Sequence, residues 1–486
     1  MRMRLDQIVE GVVPAEISGD PGLEITGLAY DNRKVVDGDL FFCVSGMESD
    51  GHDFAAAAVE AGASALVCER PTGLGLAEVL VPETRAAMAP IAASFNDYPT
   101  RDLKVAGVTG TNGKTTTAFL LHDILEGAGI HCGMMGTVKQ LVGGVEESVE
   151  RTTPESVDLQ STFRRMEDAG DEACVIEASS HAMVLRRCDS IEFDLAIFTN
   201  LTQDHLDFHS DMEDYFAAKR LLFAADPGAS VVNIDDSYGQ RLAAEFDTIT
   251  YSAEGAAADY SASDIRFDAS GAEFSVESEH GVMAIRTGLP GRFNVANALA
   301  ALAGAIALGV EPGEALASLS DAGRVPGRFE PVDAGQAFTV LVDYAHTPDS
   351  VENVLAAARD ITPARLIAVV GAGGDRDRSK RPLMGKAGSD LADHTVVTSD
   401  NPRSEDPDAI IEDVLSGIPN RDEVTVEADR SEAIRKAVAM AGPGDTVVIA
   451  GKGHEQGQEF KDGSKIPFDD REVARGHLRD IVSGAV

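Results

Sequence analysis

Residues 105–121 constrain the fold of this chain more than any other stretch. The apolar, partly β-branched run from Val105 to Val108 leads into a glycine-rich turn at 110–113, which ends in Lys114-Thr115-Thr116 before an apolar helical pattern. A strand, a glycine turn and a helix in this order predict an α/β domain. Because glycines let backbone N–H groups approach an anion closely, the turn is typical of a loop that binds nucleotide phosphates.

In this phosphate loop (residues 110–116), Lys114 is placed to reach the β- and γ-phosphates of ATP, and the Thr115 hydroxyl to ligate Mg²⁺. The general phosphate-loop pattern requires a glycine where this chain has Val108, so the loop is the shorter form that begins at Gly110. The alternative is a glycine turn that only packs a helix against a strand, and it does not account for Lys-Thr at this spacing. The residues predicted to bind ATP in the loop are Gly110, Thr111, Asn112, Gly113, Lys114, Thr115 and Thr116.

Length and charge limit what the chain can be. With 486 residues, 44% hydrophobic and 25% charged, it is expected to fold into about two to four globular domains. Its 41 Lys and Arg against 81 Asp and Glu give a net charge of −40, which excludes nucleic acid and anionic lipid as main partners. The same charge would repel nucleotides, so basic residues beside glycine motifs are informative.

The cysteines and the apolar runs indicate the cellular compartment in which the protein is expected. Five scattered cysteines without metal-ligand spacing indicate reduced core thiols. No apolar segment follows the first residues as a signal peptide would require, and no run is long enough to span a membrane. We therefore expect a cytoplasmic protein without membrane insertion, and a monomer.

Alternating strand and helix patterns divide the chain into three α/β segments. In residues 1–100, Leu23–Tyr30, Asp39–Val44 and Ser64–Cys68 read as strands, and a helix over 54–60 ends at Gly62. Residues 101–326 form a second segment that begins with the phosphate loop, and its less regular part, 253–285, reads as peripheral strands. Pro326-Gly327 is the expected hinge into the third segment, 327–486.

Buried strands in the last two segments end in polar residues. In the second segment the strands are 173–177, 195–199 and 230–234, and in the third they are 340–343, 366–371, 395–398 and 446–450. In parallel α/β sheets, ligands bind at the carboxyl ends of strands. The four strand ends of the third segment are therefore expected to converge on one sheet edge, although a chance arrangement is the alternative.

Single residues at these strand ends are ambiguous on their own. Glu177 suits Mg²⁺, which takes oxygen ligands, but a strand-end acid bonded to backbone N–H groups is the more common case. The His- and Asp-rich stretch 200–209, including His205, indicates a second cation or phosphate site or a plain polar loop. Tyr215 and Lys219 lie four apart on one helix face, where a lysine is usually solvated.

A second set of candidates surrounds the 326–327 hinge. Asn294 and Asn297, at the start of an alanine-rich helix over 297–308, would cap the helix or read an adenine edge. Arg328 could swing onto a transferring phosphate when domains close. Asp343 and Tyr344 could hold a ribose and stack near a base.

Taken together, these motifs resemble those of the ATP-dependent Mur ligases, in family order and over nearly the whole chain. The resemblance implies a three-domain α/β fold: a small UDP-binding domain, a central phosphate-loop ATPase domain with a mostly parallel sheet, and a Rossmann-like C-terminal domain. The matching segments are Gly110–Thr116, Glu177-x-Ser-Ser-His181, Asn200-Leu-x-x-Asp-His205-Leu-Asp, Ala218-Lys219, Gly291-x-Phe-Asn-x-x-Asn297, Pro326-Gly-Arg328 and Asp343-Tyr-Ala-His-x-Pro348.

The resemblance implies an ATP-dependent ligase that adds the third residue of the peptidoglycan stem peptide. ATP would phosphorylate the D-Glu carboxylate of UDP-MurNAc-L-Ala-D-Glu, and an incoming amine would attack the acyl phosphate. The residues implied in catalysis are Lys114, Glu177, His205, Lys219 and Arg328. The resemblance implies that Glu177 and Thr115 ligate one Mg²⁺. It implies that His205 and Lys219, the latter as a carbamate, ligate a second.

The stretch Asp400-Asn401-Pro402-Arg403 resembles the motif of family members that use meso-diaminopimelate. This amino acid carries a second ammonium and carboxylate at its far end, which an Arg fork and Asp or Asn oxygens can bind. A lysine substrate has no such carboxylate. The resemblance adds three further positions to this amino-acid pocket: Arg376, Gly451 and Glu455.

The positions that match the family's UDP-substrate site are Tyr30, Asn32, Thr152, Thr153, Ser179 and Arg187. Two departures affect this site. Asn32 stands where the family usually has Ser, and an amide can still donate and accept hydrogen bonds. Leu185 stands where a glutamine is common, which removes a hydrogen bond near Arg187.

Other functions remain open at this stage. A lysine-adding sibling conflicts with Asp400–Arg403, and a folylpolyglutamate or cyanophycin synthetase conflicts with the N-terminal UDP-type segment. A non-catalytic nucleotide-binding scaffold would not need the matched set of charged residues. A motor or GTPase lacks support from any switch or guanine-reading motif.

Overall fold

The protein is described here by a computed structural model covering residues 2–12, 15–46, 49–268 and 270–483. The last three residues of the third predicted segment lie outside this range. By internal contacts the chain forms two compact units, each made of several segments. The first unit contains 1–109, 129–196 and 218–229, and the second contains 110–128, 197–217 and 230–486.

Short strands and helices alternate in the N-terminal part of the chain. These elements are β1 (Met3–Arg4), α1 (Leu5–Ile8), β2 (Glu16–Ser18), β3 (Glu24–Ile25), β4 (Gly27–Ala29), β5 (Asp39–Phe42), a 3₁₀ helix (Gly51–Phe54), α2 (Ala55–Ala61), β6 (Ala65–Cys68), β7 (Ala77–Leu80), α3 (Thr84–Phe95) and a 3₁₀ helix (Pro99–Arg101).

The central part begins with the strand that precedes the phosphate loop. Its elements are β8 (Lys104–Thr109), α4 (Lys114–Gly127), β9 (Cys132–Met135), β10 (Gln140–Val142), β11 (Val145–Glu147), α5 (Ser156–Ala169), β12 (Ala173–Glu177), α6 (Ser180–Val184), β13 (Leu195–Phe198), α7 (Met212–Ala224), β14 (Ala229–Asn233), α8 (Ser237–Glu245), β15 (Ile249–Ser252), β16 (Tyr260–Asp268), β17 (Gly271–Ser278), β18 (Gly281–Thr287), α9 (Arg292–Ala307) and α10 (Pro312–Asp321).

The C-terminal part alternates strands and helices again. Its elements are β19 (Glu330–Pro331), β20 (Thr339–Asp343), α11 (Pro348–Asp360), β21 (Leu366–Ala372), α12 (Lys380–Leu391), β22 (His394–Ser399), α13 (Pro407–Leu415), a 3₁₀ helix (Arg421–Glu423), β23 (Val424–Val426), α14 (Arg430–Met440), β24 (Thr446–Ala450), β25 (Gly457–Glu459), a 3₁₀ helix (Lys461–Gly463), β26 (Lys465–Pro467) and α15 (Asp470–Ser483).

The first unit contains a five-stranded sheet in the order β2-β7-β6-β5-β4, parallel except for β2. One predicted strand, Leu23–Tyr30, is two strands in the structure. Glu24 and Ile25 pair with β1, whereas Gly27–Ala29 pair with β5, so the segment serves two sheets. The predicted end of the helix at Gly62 is confirmed, because this residue caps α2 at a φ of 118°.

Five further strands of the first unit lie in the order β11-β10-β9-β12-β8, in which β9, β12 and β8 are parallel. In the second unit, β14 to β18 lie in sequence order. The last three form an antiparallel meander, and this confirms the peripheral strands predicted over 253–285.

The C-terminal sheet of the second unit runs β19-β20-β24-β21-β22-β23. The five neighbouring strands β20, β24, β21, β22 and β23 are parallel to one another. Alternate residues of β21 pack into two cores: Leu366, Ala368 and Val370 on one face, and Ile367 and Val369 on the other. Helices cover both faces, which explains the continuous apolar runs of these strands. The predicted convergence of polar strand ends is confirmed, because β20, β24, β21 and β22 end at one edge.

Candidate functional site

The phosphate loop is held by its neighbours in the second unit through backbone and amide groups. The N–H groups of Thr111 and Asn112 donate to the backbone carbonyl and to Oδ1 of Asn200, both at 2.9 Å. Gly113 precedes α4 with a φ of 84°, and a Cβ there would lie 2.4 Å from Oδ1 of Asn297. This position therefore requires glycine both for its conformation and for the close approach of Asn297.

Lys114 is half-buried and folds back over its own loop. Its Nζ donates to the carbonyl oxygens of Gly110 at 3.0 Å and of Thr111 at 2.8 Å. Asn112 donates to Oδ2 of Asp349 at 2.7 Å, a contact that the sequence did not predict. The loop thus keeps its cation on neutral oxygens that a more strongly charged acceptor can replace.

Arg328 contacts the start of α4. Its Nη2 donates to Oγ1 of Thr115 at 3.0 Å, and its Cζ lies 4.5 Å from the centroid of the Tyr344 ring. Its Nε is buried and has no hydrogen-bond partner among the residues that the structure describes. A half-buried guanidinium with a buried, unused donor points to an anionic ligand.

Asp343 ends β20 and is buried. Its Oδ2 accepts from the backbone N–H of Phe329 at 2.7 Å. Burial raises the pKa of this carboxyl to about 6, partly opposed by the nearby Arg328. Tyr344 is packed between two histidine rings, with centroids 4.6 Å from His346 and 5.3 Å from His454.

Asn294 and Asn297 lie inside the first two turns of α9, which begins at Arg292 rather than at the predicted 297. Gly291 is the N-cap and provides no side-chain bond, so the capping alternative was wrong. Asn294 instead donates to the carbonyl of Pro290 at 2.8 Å, and Asn297 donates to Oδ1 of Asn294 at 3.2 Å. Both amides are buried and fixed in orientation.

A charged cluster surrounds Asp204 in the second unit. Nε2 of His205 lies 3.5 Å from Oδ2, Nζ of Lys380 lies 3.5 Å from Oδ1, and Nε2 of His346 lies 4.0 Å from Oδ2. Burial acts to raise the pKa of Asp204, but these groups together hold it well below its usual range. His205 has a φ of 55°, a strained backbone conformation of the kind that accumulates at functional sites. The sequence analysis missed Lys380, whose only signal was its position after a strand end.

Helix α7 carries Tyr215 and Lys219 on one buried face. Lys219 is 1% exposed, so the solvated-lysine alternative was wrong. The Tyr215 hydroxyl lies 3.3 Å from Oγ1 of Thr111, and its ring centroid lies 6.0 Å from that of His205. Burial raises the pKa of Tyr215, so this hydroxyl stays protonated.

Glu177 ends β12 in the first unit and is 1% exposed. Its Oε1 accepts from the N–H of Thr137 at 2.8 Å, and its Oε2 from the Thr137 hydroxyl at 3.1 Å. That hydroxyl lies 3.0 Å from Oγ1 of Thr152. Thr153 bridges the backbone carbonyl of Glu177 and the hydroxyl of Ser179, at 2.7 and 3.1 Å. The structure thus links Thr152 to Glu177 through Thr137, and links Thr153 and Ser179 to the backbone of the same residue.

Arg187 belongs to the same neighbourhood. It donates to the carbonyl of Thr153 at 3.0 Å and lies 2.9 Å from Glu155, and Glu155 also pairs with Arg85 at 3.0 Å. The sequence analysis missed Glu155. At the departure position, the backbone carbonyl of Leu185 accepts from Arg85 at 3.4 Å.

Tyr30 and Asn32 lie elsewhere in the first unit. The Tyr30 hydroxyl donates to Oδ2 of Asp158 at 2.5 Å, and burial together with this carboxylate raises the pKa of Tyr30. Asn32 is half-buried, and its neighbours Asp31 and Arg33 form an ion pair at 2.7 Å.

The predicted amino-acid pocket is assembled at the ends of β22 and β24. Asn401 donates to Oε2 of Glu455 at 2.8 Å, and a Cβ on Gly451 would lie 2.5 Å from Oδ2 of Asp400. Lys452, which the sequence analysis missed, donates to Oδ1 of Asn401 at 2.7 Å and to Oε2 of Glu455 at 2.8 Å. Asp400, Asn401 and Lys452 are buried and Glu455 is partly exposed, so these residues form a largely buried polar group rather than a solvated loop.

Arg403 lies at the rim of this pocket with a φ of 51°. Its Nε donates to Oε2 of Glu459 at 3.1 Å, and its Nη1 to the carbonyl of Gly374 at 2.7 Å. Pro402, which precedes it, is buried. Arg376 is exposed and donates to the carbonyl of Asp375 at 3.0 Å, so the structure does not place it against the other pocket residues.

Three family models match successive parts of the chain. They describe the Mur ligase family catalytic domain at residues 24–96, the Mur ligase middle domain at 108–305, and the Mur ligase glutamate ligase domain at 327–453. The chain therefore belongs to the Mur ligase family. This result confirms the predicted α/β fold of three domains with a mostly parallel central sheet.

Relatives within the family agree in name. The chain is 44% identical to a UDP-N-acetylmuramoyl-L-alanyl-D-glutamate–2,6-diaminopimelate ligase of Syntrophomonas wolfei, over 99% of this chain and 100% of the relative. It is 47% identical to the protein of the same name in Streptomyces coelicolor, over 95% and 94%. A solved structure with this name aligns at a TM-score of 0.70 and 32% identity, covering 99% of this chain and 100% of that chain.

The described residues contain neither a membrane-spanning helix nor a preformed metal cluster. None of the helices in the described ranges has the length and apolar character that crossing a bilayer requires. Within the same ranges, no three His, Cys, Asp or Glu side chains gather as a ready-made metal cluster.

Proposed function

We propose that this chain is an ATP-dependent ligase that joins meso-2,6-diaminopimelate to the D-Glu carboxylate of UDP-MurNAc-L-Ala-D-Glu. The names of the full-length relatives support this reaction. The observation that carries the choice of amino acid is the group formed by the buried Asp400 and Asn401 and the partly buried Glu455, with Arg403 beside it. Its anionic oxygens and guanidinium suit a substrate end that carries both an ammonium and a carboxylate.

ATP supplies the energy by phosphorylating the D-Glu carboxylate, after which the amine attacks the acyl phosphate and releases phosphate. The chemical difficulty is that two anions must meet, so catalysis depends mainly on positive charge at fixed positions. Lys114 would leave its two carbonyl acceptors and bind the β- and γ-phosphates. The loop N–H groups and Thr116, at the first turn of α4, would complete the cradle.

Arg328 would stabilise the transferring phosphoryl group. Its buried Nε, which has no hydrogen-bond partner among the described residues, would donate to a phosphate oxygen. Its Nη2 already donates to Thr115. On the base side, Asp343 would accept hydrogen bonds from the ribose, Tyr344 would contact the base, and Asn294 and Asn297 would read the adenine edge.

The residues assigned to Mg²⁺ are Thr115 and Glu177, with His205 and carbamylated Lys219 for a second ion. The donor chemistry fits, because Mg²⁺ takes one or two carboxylates, phosphate oxygens and waters and needs no cluster of acids. The burial of Lys219 fits a carbamate, which would turn a costly buried cation into an oxygen ligand. When bound, Mg²⁺ would neutralise charge on the phosphates.

The UDP-substrate would be bound in the first unit. Thr152, Thr153 and Ser179 present hydroxyls around Glu177, and Arg187 lies beside them. These groups suit the carboxylate and amide oxygens of the sugar-peptide portion. Tyr30 and Asn32 would contact the nucleotide portion.

The domain boundaries, oligomeric state and location are also part of the proposal. We propose a UDP-substrate domain at 1–100, an ATP-binding domain at 101–326 and an amino-acid domain at 327–486, in a monomeric protein. Each segment matched by a family model lies within one of these ranges. Since the substrates are ATP and a UDP-linked precursor, we place the reaction in the cytoplasm.

The decisive experiment measures phosphate release from ATP by the purified chain with Mg²⁺ and UDP-MurNAc-L-Ala-D-Glu. Parallel reactions contain meso-diaminopimelate, L-lysine, L-ornithine or no amino acid, at low and high salt, and product masses are checked. We expect turnover with meso-diaminopimelate only. Turnover with lysine instead would refute the role given to Arg403, and no turnover with any amino acid would favour a sibling ligase or a nucleotide-binding scaffold.

A further inference from the structure

Lys452 is the buried cation of the amino-acid pocket. Its side chain is 0% exposed, and its ammonium faces three oxygen-bearing side chains. Nζ donates to Oδ1 of Asn401 at 2.7 Å and to Oε2 of Glu455 at 2.8 Å, and it lies 3.6 Å from Oδ1 of Asp400. Two of the three N–H donors of this ammonium are therefore directed at Asn401 and Glu455, and its charge acts on Asp400 at a longer distance.

The two carboxylates of this group are in different states. Glu455 uses Oε2 for both Lys452 and Asn401, whereas Oε1 accepts no hydrogen bond from the described part of the chain. The Asp400 carboxylate is nearly buried and also accepts no hydrogen bond from the described residues, whereas the backbone carbonyl of Asp400 accepts one from Nε2 of Gln458 at 2.7 Å. Both carboxylates thus lie against Lys452 and keep oxygens that accept no hydrogen bond from the described residues, and an ammonium ligand would supply the missing donors.

Charges on every neighbouring element bear on Asp400. Burial acts to raise its pKa, but the cations around it hold the pKa below its usual value, with Lys452 the largest contributor. Arg430 on α14 is itself paired with Asp470 on α15 at 2.7 Å. The other charged or titratable groups that act on Asp400 or respond to it include Tyr344 and His346 after β20 and Arg403 after β22.

We propose that Lys452 is a positioning residue that determines specificity for an amino acid with a distal ammonium. It would hold Asp400 and Glu455 side by side as two charged carboxylates and fix the orientation of the Asn401 amide. It acts through these residues and does not itself contact the substrate. This inference rests on the proposed function, since it assigns the pocket to the incoming amino acid.

The first test is Lys452→Met, which keeps most of the side-chain volume and removes the charge and all three donors. The KM for meso-diaminopimelate is expected to rise about 10- to 100-fold, as when a charge-assisted hydrogen-bond network is broken. The KM for ATP and the kcat at saturating amino acid are expected to change less than about threefold. The matched control is Lys436→Met, because Lys436 forms a partly exposed pair with Glu427 in the same sheet-and-helix layer.

The second readout is the pH profile of kcat/KM for meso-diaminopimelate. Without Lys452 the pKa of Asp400 rises, so this carboxyl becomes protonated at a higher pH. The acidic limb of the profile is therefore expected to move to higher pH in Lys452→Met and to stay in place in Lys436→Met. A purely structural loss would lower the rate at every pH without moving the limb.

Where Lys452→Met does not fold, Lys452→Gln gives the same test, since its amide can donate to one acceptor without a charge. Lys452→Arg, which keeps the charge, is expected to recover part of the lost affinity. An unchanged KM for diaminopimelate together with an unmoved acidic limb would overturn the inference while leaving the proposed function intact. If the unmodified chain used no amino acid at all, the proposed function itself would fail.

Discussion

Two lysines of the second unit, Lys114 in the phosphate loop and Lys452 in the amino-acid pocket, are held by different kinds of group. Lys114 is half-buried and donates to two backbone carbonyls of its own loop. Lys452 is fully buried. It donates to the side-chain amide oxygen of Asn401, which lies 51 residues away in the chain, and to the carboxylate of Glu455 in its own segment. Neutral carbonyls can be exchanged for phosphate oxygens, whereas a buried ion pair loses several kcal/mol if one partner leaves.

The same contrast separates two buried carboxylates of the C-terminal sheet. Asp343, held mainly by a backbone N–H, has a pKa raised to about 6, whereas Asp400, surrounded by cations, has its pKa lowered. Burial acts in the same direction on both, so the neighbouring cations decide the outcome. In the proposed site, Asp343 on the nucleotide side is therefore held mainly by backbone groups, and Asp400 on the amino-acid side by side-chain charge.

The largest effect is expected for Lys114→Met. Loss of the cation from the phosphate loop should lower kcat at least about 10³-fold, because phosphoryl transfer depends on charge stabilisation. The melting temperature should change little, since the bonds from Nζ to the carbonyls of Gly110 and Thr111 are made to neutral acceptors within the same loop. Phosphate release and thermal unfolding measure the two quantities, with Lys386→Met, in an exposed ion pair with Asp390, as the control. A variant that keeps a tenth of the turnover would contradict the comparison.

Arg403→Lys is expected to raise the KM for meso-diaminopimelate by about 10- to 100-fold, because a point charge cannot replace the planar fork. The KM for ATP should stay the same, and Arg403→Ala and Asp400→Ala should show the same selectivity. Steady-state kinetics with each substrate varied in turn measures this, with Arg421→Lys, in an exposed pair with Glu412, as the control. Wild-type kcat/KM in both alanine variants would show that the pocket assignment is wrong.

Gly113→Ala and Gly129→Ala compare the two ends of α4. Both glycines have a similar φ, 84° and 80°, but only at Gly113 would the new Cβ meet a side chain, Oδ1 of Asn297 at 2.4 Å. We expect Gly129→Ala to cost about 1 kcal/mol of stability and Gly113→Ala about 2 to 3 kcal/mol, with a raised KM for ATP. Chemical unfolding measures both losses of stability. If the two variants lost the same free energy of unfolding, the close approach of Asn297 would not constrain position 113.

The smallest effect concerns pH and Asp343. As the pH falls through about 6, its protonation should raise the KM for ATP a few-fold, and Asp343→Asn should abolish this change. Because the folded-state pKa lies above the usual 3.8, the contribution of Asp343 to stability is greatest below pH 4 and is lost as the pH rises through about 6. The melting temperature of Asp343→Asn relative to that of the unmodified protein should therefore be higher at pH 7 than at pH 4. Melting temperatures at the two values test the sign.

Much of the fold could be predicted from local patterns of apolar and glycine residues in the sequence. Strand β24 has the predicted bounds, and the helix before Gly62 and strands β20, β21 and β22 were predicted within a residue or two, whereas β19 and β23 were not predicted. The predicted strands are buried on both faces, so their apolar runs carry a strong signal. The prediction failed where pairing changes within one segment, at Leu23–Tyr30, because local sequence does not specify which strand lies alongside.

The sequence by itself determined the α/β class, the phosphate loop and the clustering of polar strand ends, since each depends on residues close together in the chain. Only the tertiary structure decided that Lys219 is buried, that the N-cap of α9 is Gly291, and that Lys380 and Lys452 lie against Asp204 and Asp400. A buried lysine and a surface lysine read the same in sequence. What distinguishes them is a carboxylate brought from a distant strand end, and that contact exists only in the folded chain.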